Sequence, residues 1–300
     1  MVAEPIPPRA DARVVRARAG TRERIARIWA YRELLVGMVR KELKVKYKNS
    51  VLGFAWSLLN PLLYLVVFYV AFDVILKAGI DAFPIYLLSG LLVWNLFSVG
   101  LGGATGSVVA NSGLVKKVAF PREILPLAAV GSTLIHFFLQ SLVLCAVLLI
   151  VQWNVAWAYI TMLPFALLAV LVIASALGIL LSATNVYLRD TQHFLELALL
   201  AWFWMTPIVY VFMTIGARDD WATKVYMTNP ITPIVLVFQR AIYGKVDYVD
   251  DAGQVQHALP AWDWTSYAAY LGYSFAFGII MLAIAFAVFG RVEANFAEEL

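Results

Sequence analysis

Charge is scarce in this chain. Asp, Glu, Lys and Arg make up 14% of its 300 residues and hydrophobic residues 62%, where soluble domains carry about 25% charge and roughly 45–50% apolar residues. Water cannot be the main solvent of such a composition, and disorder, collagen and coiled coil are excluded with the soluble globule. There is one cysteine, Cys145, inside an apolar run, so neither an internal disulfide nor a cysteine metal site is available. The three histidines, His136, His193 and His257, stand on different segments without ligand spacing, so no metal site is expected. No GxxxxGK[ST] phosphate loop is present. The one Gly-Lys pair, Gly244-Lys245, is followed by Val246, so the chain does not cradle ATP in the usual way. No GxSxG elbow or HExxH appears.

What the chain has is long hydrophobic runs, continuous rather than alternating, which argues for helices and against an outer-membrane barrel. A span needs about 20 apolar residues. Six are expected, at 54–76, 84–108, 125–151, 158–183, 195–214 and 267–290. Gly79 and Pro84, then Asn111, Gly113 and Pro121, then Asn154, then Asn185 to Asp190, punctuate the connections. Residues 1–20, rich in Ala, Arg and Pro, read as a disordered tail. Over 21–50, Ile25, Ile28, Trp29, Val36, Val39, Leu43 and Tyr47 recur at helical spacing among basic residues, as in an amphipathic helix lying in a membrane interface. The connection 215–266 is long and acidic. Within it, 225–243 is apolar but broken by Pro230 and Pro233, and a re-entrant or interface-lying helix pair fits it best.

The basic residues orient the chain. Residues 1–53 hold 13 Lys and Arg against 5 Asp and Glu. No apolar leader precedes residue 54, so the N-terminus is expected in the cytoplasm. Counting connections from there puts 18 basic residues on the cytoplasmic side and 5 on the other, with both termini inside. Charges within spans are few. Asp73 and Lys77 have the spacing of a local helix pair, Glu196 opens span five, and His136 lies mid-span without an ionised partner in view. No tandem repeat supports a secondary transporter, and no paired carboxylates or histidine–acid pair at one face support a membrane glycosyl- or acyltransferase.

Two inside connections carry a signal. One is VANSGLVKKVAFPREILP, 109–126, basic and turn-rich; the other is NVYLRDT, 185–191. Such loops are what a permease offers to an external motor, although generic cytoplasmic anchoring would also use them. Aromatics make up 14% of the chain, with ten Trp. Trp153, Trp157, Trp262 and Trp264 stand at span ends. Trp94, Phe97, Trp202, Trp204 and Tyr210 lie within spans two and five, where rings either pack helix on helix or offer shallow faces to sliding sugars.

Several runs resemble a known family. YKNSVLGFAWSLLNPLLYLVVF (47–68) is similar to the opening of the ABC-2 type polysaccharide-export permeases, the O-antigen and teichoic-acid export type. LVKKVAFPREILPLA (114–128) resembles their coupling segment, YLRD (187–190) the motif after their fourth span, and NPITPIVLVFQRAIYG (229–244) their outside gate. The Ala/Arg-rich N-terminus looks closest to the actinobacterial galactan exporters within that family.

The resemblance implies an all-α, six-span membrane domain over 51–300, preceded by the interface helix and carrying re-entrant outside gate helices. It implies a homodimer joined to two ATPase subunits that hold ATP and Mg, with no cofactor on this chain, moving a lipid-linked glycan out across the bacterial cytoplasmic membrane. Nucleic acid has no part. Lys116, Lys117, Phe120, Pro121, Arg122, Glu123, Tyr187, Arg189 and Asp190 are then the expected ATPase-coupling residues. Trp94, Phe97, Trp202, Trp204 and Tyr210 are expected in the channel, and Asn229, Pro230, Pro233 and Arg240 at the gate. An ABC-2 drug or lipid exporter is the alternative within transport.

Overall fold

A computed structural model of the chain describes residues 20–48, 50, 53–75, 82–213, 220–249 and 255–300. The expected tail, the Asp73–Lys77 pair and the Gly79 turn lie outside what is described. Everything else is dominated by helices. The expected interface helix is two: α1, Thr21–Ala30, and α2, Arg32–Tyr47. The break falls at Tyr31, whose N–H is shared between the carbonyls of Arg27 and Ile28. It lets α1 pack on the end of the last long helix while α2 runs along α6. Trp29 stays 72% exposed and Ile25 and Val36 are also uncovered, so part of the apolar stripe is left without a partner in the chain.

After a single 3-10 turn, α3 spans Trp56–Phe68 and continues as a π-helical stretch, Tyr69–Ile75. The long helices follow: α4, Phe83–Ala110; α6, Ile124–Ile150; α8, Leu163–Tyr187, led in by the short α7, Trp157–Ile160; and α12, Trp264–Val292. Short helices fill the connections: α5, Ser112–Lys117; α9, Thr191–Trp204; α10, Asp220–Thr228; α11, Thr232–Ile242; and α13, Phe296–Glu299. Among the described residues four stretches are long and apolar enough to cross a membrane, Phe83–Ala110, Ile124–Ile150, Trp157–Tyr187 and Trp264–Asn295. They match the second, third, fourth and sixth expected spans. Proline falls in the first turn of α4 (Pro84), α6 (Pro126), α8 (Pro164) and α11 (Pro233), where its missing N–H breaks no helical bond.

The fifth expected span, 195–214, is not one helix. It begins earlier, at Thr191, and the helix stops at Trp204, with residues 205–212 irregular. Pro207 is the reason, because its ring has no N–H to bond the carbonyl one turn back. That carbonyl, of Phe203, accepts instead from Thr206 N at 3.1 Å, and side chains meet its neighbours: Thr206 Oγ1 donates to Trp202 O at 2.9 Å, and Gln239 Nε2 donates to Pro207 O at 3.1 Å. The long connection after it also carries a two-stranded antiparallel ribbon, Asp247–Val249 with Val255–His257, a small departure from the all-helical expectation.

α4 is the hub. It is the most buried of the four long helices, in keeping with its apolar residues all round, and packs on α6 and α8, while α12 packs on α8. Small residues permit the approach. A Cβ on Gly178 would lie 2.6 Å from Ala104 Cβ, and one on Gly278 would lie 3.0 Å from Ile173 Cγ1. Hydroxyls in the helices bond their own backbone: Ser89 to Tyr86 O, Thr105 to Leu101 O, Ser182 to Ile179 O.

The core divides along the helices. One part surrounds the first half of α4 and takes in α11. The other gathers Met38, Val108, Ile124, Phe289 and Phe296 where α4, α8 and α12 end and α6 begins. That second end also holds α1 and α13, so the N-terminal helix and the C-terminus meet there; it is called the basal end below.

Candidate functional site: a polar knot at the basal end and an aromatic hairpin above it

At the basal end Arg24 reaches from α1 into the protein. Its side chain is 6% exposed. Nη1 donates to Glu123 Oε1, and Nη2 donates to Glu293 Oε1 at 2.8 Å. Space for the guanidinium exists because residue 290 is glycine; any Cβ there would collide with Arg24 Nη2. Glu123 sits just before α6, with Pro121 and Arg122 carbonyls accepting from the N–H groups of Ile124 and Leu125 to start that helix. Arg122 turns the other way, donates to Glu293 O and lies over the Phe296 ring at 5.7 Å. Tyr187, the last residue of α8, donates its OH to Val292 O at 2.9 Å and packs its ring on Phe296.

Two carboxylates thus share one guanidinium. Burial, with the Glu293 charge beside it, pushes the Glu123 carboxyl above its ordinary value, although its own backbone N–H and Arg24 pull the other way. Burial works against the Arg24 charge, but Glu293 and Glu123 outweigh it and hold the guanidinium above its ordinary value. The ion pair is therefore geometrically complete yet depends on every member being present.

Of the nine expected coupling residues, Arg122, Glu123 and Tyr187 enter this knot, and Phe120 and Pro121 flank it half-buried. Lys116 and Lys117 on α5, and Arg189 and Asp190 in the turn between α8 and α9, are exposed around it. The knot fixes the backbone, and the exposed charges are left available to a partner. Lys41 Nζ, 2.5 Å from Asn111 Oδ1, ties α2 to the end of α4 in the same region. Sequence reasoning missed Arg24, Glu293 and Phe296. Arg24 stands among other arginines of a basic helix, and nothing in its spacing distinguishes the one that turns inward.

Further along the helices, the expected channel and gate residues form one connected unit. Trp202 of α9 stacks edge-on against Phe97 at 5.0 Å, midway along α4; Trp94 contacts Phe97 and Phe203. Trp202 Nε1 donates to Asn229 Oδ1 at 2.8 Å. Asn229 makes the turn between α10 and α11: its Oδ1 also accepts from Ile231 N at 3.0 Å, and its Nδ2 donates to Thr206 Oγ1 at 3.0 Å. From that turn α11 runs back along the first half of α4, where Gly90 leaves room for Gln239 and Val235. Its far end carries Arg240, which lies over the Tyr159 ring at 4.5 Å and donates to Gly244 O. Pro230 and Pro233 are buried.

Trp94 and Phe97 are buried, packing α4 on α9, and present no open face within the protomer. Trp204 is 58% exposed, and Trp202 and Tyr210 are half-buried. Tyr210 donates its OH to Trp204 O at 2.8 Å. Among the described residues no cluster could hold a metal ion.

This helical membrane architecture, with a charged platform at one end and in the other half a short hairpin whose second arm, α11, is buried, is that of a permease. The model of the ABC-2 type transporter family matches residues 33–243, and the chain belongs to that family. Among curated proteins it is 34% identical over 221 residues to an O-antigen export system permease of Myxococcus xanthus, covering 73% of this chain and 84% of that one. It is 26% identical over 269 residues to one of Klebsiella pneumoniae, covering 89% and 95%. It is 21% identical over 212 residues to the polysialic acid transport protein of Escherichia coli, covering 67% and 78%.

Proposed function

We propose that this chain is the permease subunit of an ATP-driven exporter that moves a lipid-linked polysaccharide out across the bacterial cytoplasmic membrane. The observation that carries this reading is the near full-length likeness to an O-antigen export permease. The chain works as two copies joined to two copies of a separate ATPase, which holds the ATP and Mg that a chain without a phosphate loop cannot. The basal end faces the cytoplasm, with both termini, in keeping with the 18-to-5 distribution of basic residues. α3 and α9 with residues 205–212 complete six spans. The α10–α11 hairpin is a re-entrant gate, supported by its turn lying at the level of Phe97, and Trp202, Trp204 and Tyr210 offer ring faces to the passing glycan.

The test is transport. Proteoliposomes holding this chain and its ATPase should move a polyprenyl-linked glycan, galactan first, across the bilayer on adding ATP. Movement of drugs or phospholipids with no glycan transport overturns the reading in favour of another ABC-2 exporter. In the same assay Lys116→Glu with Lys117→Glu should lower coupled ATP hydrolysis or assembly at least about fivefold, since each reversal turns a favourable cross-interface charge contact into a repulsive one. Unchanged coupling removes α5 from the docking surface.

Orientation is checked separately. In a Cys145→Ser background, a membrane-impermeant thiol reagent applied to whole cells should label a cysteine at exposed Lys224 and spare one at exposed Lys117. The reverse pattern overturns the topology.

A further inference from the structure

Between α2, α3, α4 and α6 lies a cavity of about 220 Å³ that neither the knot nor the hairpin uses. Its wall mixes three chemistries. Asn95 and Gln140 bring carboxamides, Trp56 and Tyr64 bring aromatic faces, and Lys46 brings an ammonium. Tyr47 and His136 meet beside them, hydroxyl to Nδ1 at 3.2 Å. Among the described residues the two carboxamides have no hydrogen-bonding partner and Lys46 has no carboxylate in ion-pair reach. Such groups between membrane helices cost free energy unless water or a ligand meets them. Lys46 is itself exposed, so its ammonium stands at the mouth of the cavity, open to an anion.

Position narrows the ligand. α6 starts at Ile124, so at about 1.5 Å per residue Thr133 to Gln140 lie roughly 14–24 Å from its basal end. The helix is about 40 Å long against a hydrocarbon thickness of about 30 Å. With about 5 Å of the helix beyond the hydrocarbon at each end, the cavity lies roughly 9–19 Å inside that layer, from its basal half to about the midplane. Trp56, Tyr64 and Val99 keep exposed surface, so it opens at the side of the protomer, where a lipid tail can stay in the bilayer. It is smaller than the roughly 300 Å³ at which pockets for drug-sized ligands begin, which suits one sugar rather than a chain of them.

We propose that this cavity binds the lipid-proximal sugar phosphate of the exported glycan: the Lys46 ammonium on the phosphate, the Asn95 and Gln140 amides on sugar hydroxyls, and Trp56 and Tyr64 against the ring. The proposal rests on the glycan-export reading and adds to it a binding site within the bilayer at the protomer's flank, away from the aromatic hairpin. An ordinary anionic phospholipid shares the phosphate but not the sugar, and the amides discriminate between them.

The experiment uses the full chain in phosphatidylcholine nanodiscs and three labelled probes: a polyprenyl-pyrophosphoryl N-acetylglucosamine, the same polyprenyl pyrophosphate without sugar, and phosphatidylglycerol. The sugar-bearing probe should bind about tenfold tighter than its sugarless counterpart, the scale of one or two net hydrogen bonds. Asn95→Leu with Gln140→Leu should bring that ratio to about one, and Lys46→Gln should weaken both pyrophosphates about fivefold while leaving the ratio intact. Should the Leu pair fail to fold, Asn95→Ala alone should cut the ratio about threefold. A ratio that survives these changes, or phosphatidylglycerol competing equally with the sugar-bearing probe, overturns the site. Glycan transport by the same variants in proteoliposomes shows whether the exporter reading stands when the site does not.

Discussion

Arg24→Ala should lower the thermal denaturation midpoint of the detergent-solubilised protein by about 10 °C. The substitution removes the one cation shared by Glu123 and Glu293 and strands a buried carboxylate, a loss of about 3–5 kcal/mol; for a chain of this size each kcal/mol moves the midpoint by about 2–4 °C. Adding Glu123→Gln should recover more than half of the loss, because the stranded charge goes with it.

The pH dependence has a definite sign. Burial and Glu293 already hold the Glu123 carboxyl above its ordinary value, and losing Arg24 raises it further. Between the ordinary and the raised value the folded state binds a proton that the unfolded state does not, so stability rises as pH falls through that window. The Arg24→Ala deficit should therefore be larger at about pH 8 than at about pH 5. A deficit of the same size at both, or one that Glu123→Gln leaves untouched, would show that the knot is not held by this ion pair. Export should fall with it, since the knot positions the segment that carries Lys116 and Lys117.

The second large effect is expected at the hairpin turn. Asn229→Leu keeps the side chain's bulk but removes the acceptor of Trp202 Nε1 and Ile231 N and the donor to Thr206. Each buried polar group left unmatched costs about 1–3 kcal/mol, and two or more are left here. Glycan export should drop at least about tenfold while assembly with the ATPase persists, because the knot lies at the other end. Asn229→Asp, which keeps the acceptor but not the donor, should retain more transport than Asn229→Leu. Equal loss in the two would assign the effect to turn geometry rather than to the link with α9. Full export by Asn229→Leu would remove the hairpin from the transport path.

How legible these parts were in the sequence differs by residue. The spans at Phe83–Ala110 and Trp264–Val292 were read almost to their ends, because apolar runs bounded by turn residues depend only on local composition. The connection 109–126 was legible as basic and proline-punctuated. The stop at Trp204 was not, although Pro207 was in view, because the run stays apolar past it and hydropathy does not register a missing N–H.

The sequence by itself determined that this is a helical membrane protein without a nucleotide loop, which ends are basic, and which segments break. Only the tertiary structure decided which of the N-terminal arginines turns inward, that Glu123 and Glu293 share it, that Phe97 packs a helix, and that Trp202 and Asn229 join α9 to the hairpin. The reason is physical. Hydropathy and charge asymmetry are sums over local residues against a fixed solvent. A salt-bridge triad spanning residues 24, 123 and 293 is instead set by the crossing of three helices, which the small residues Gly178, Gly278 and Gly290 allow only once those helices are packed.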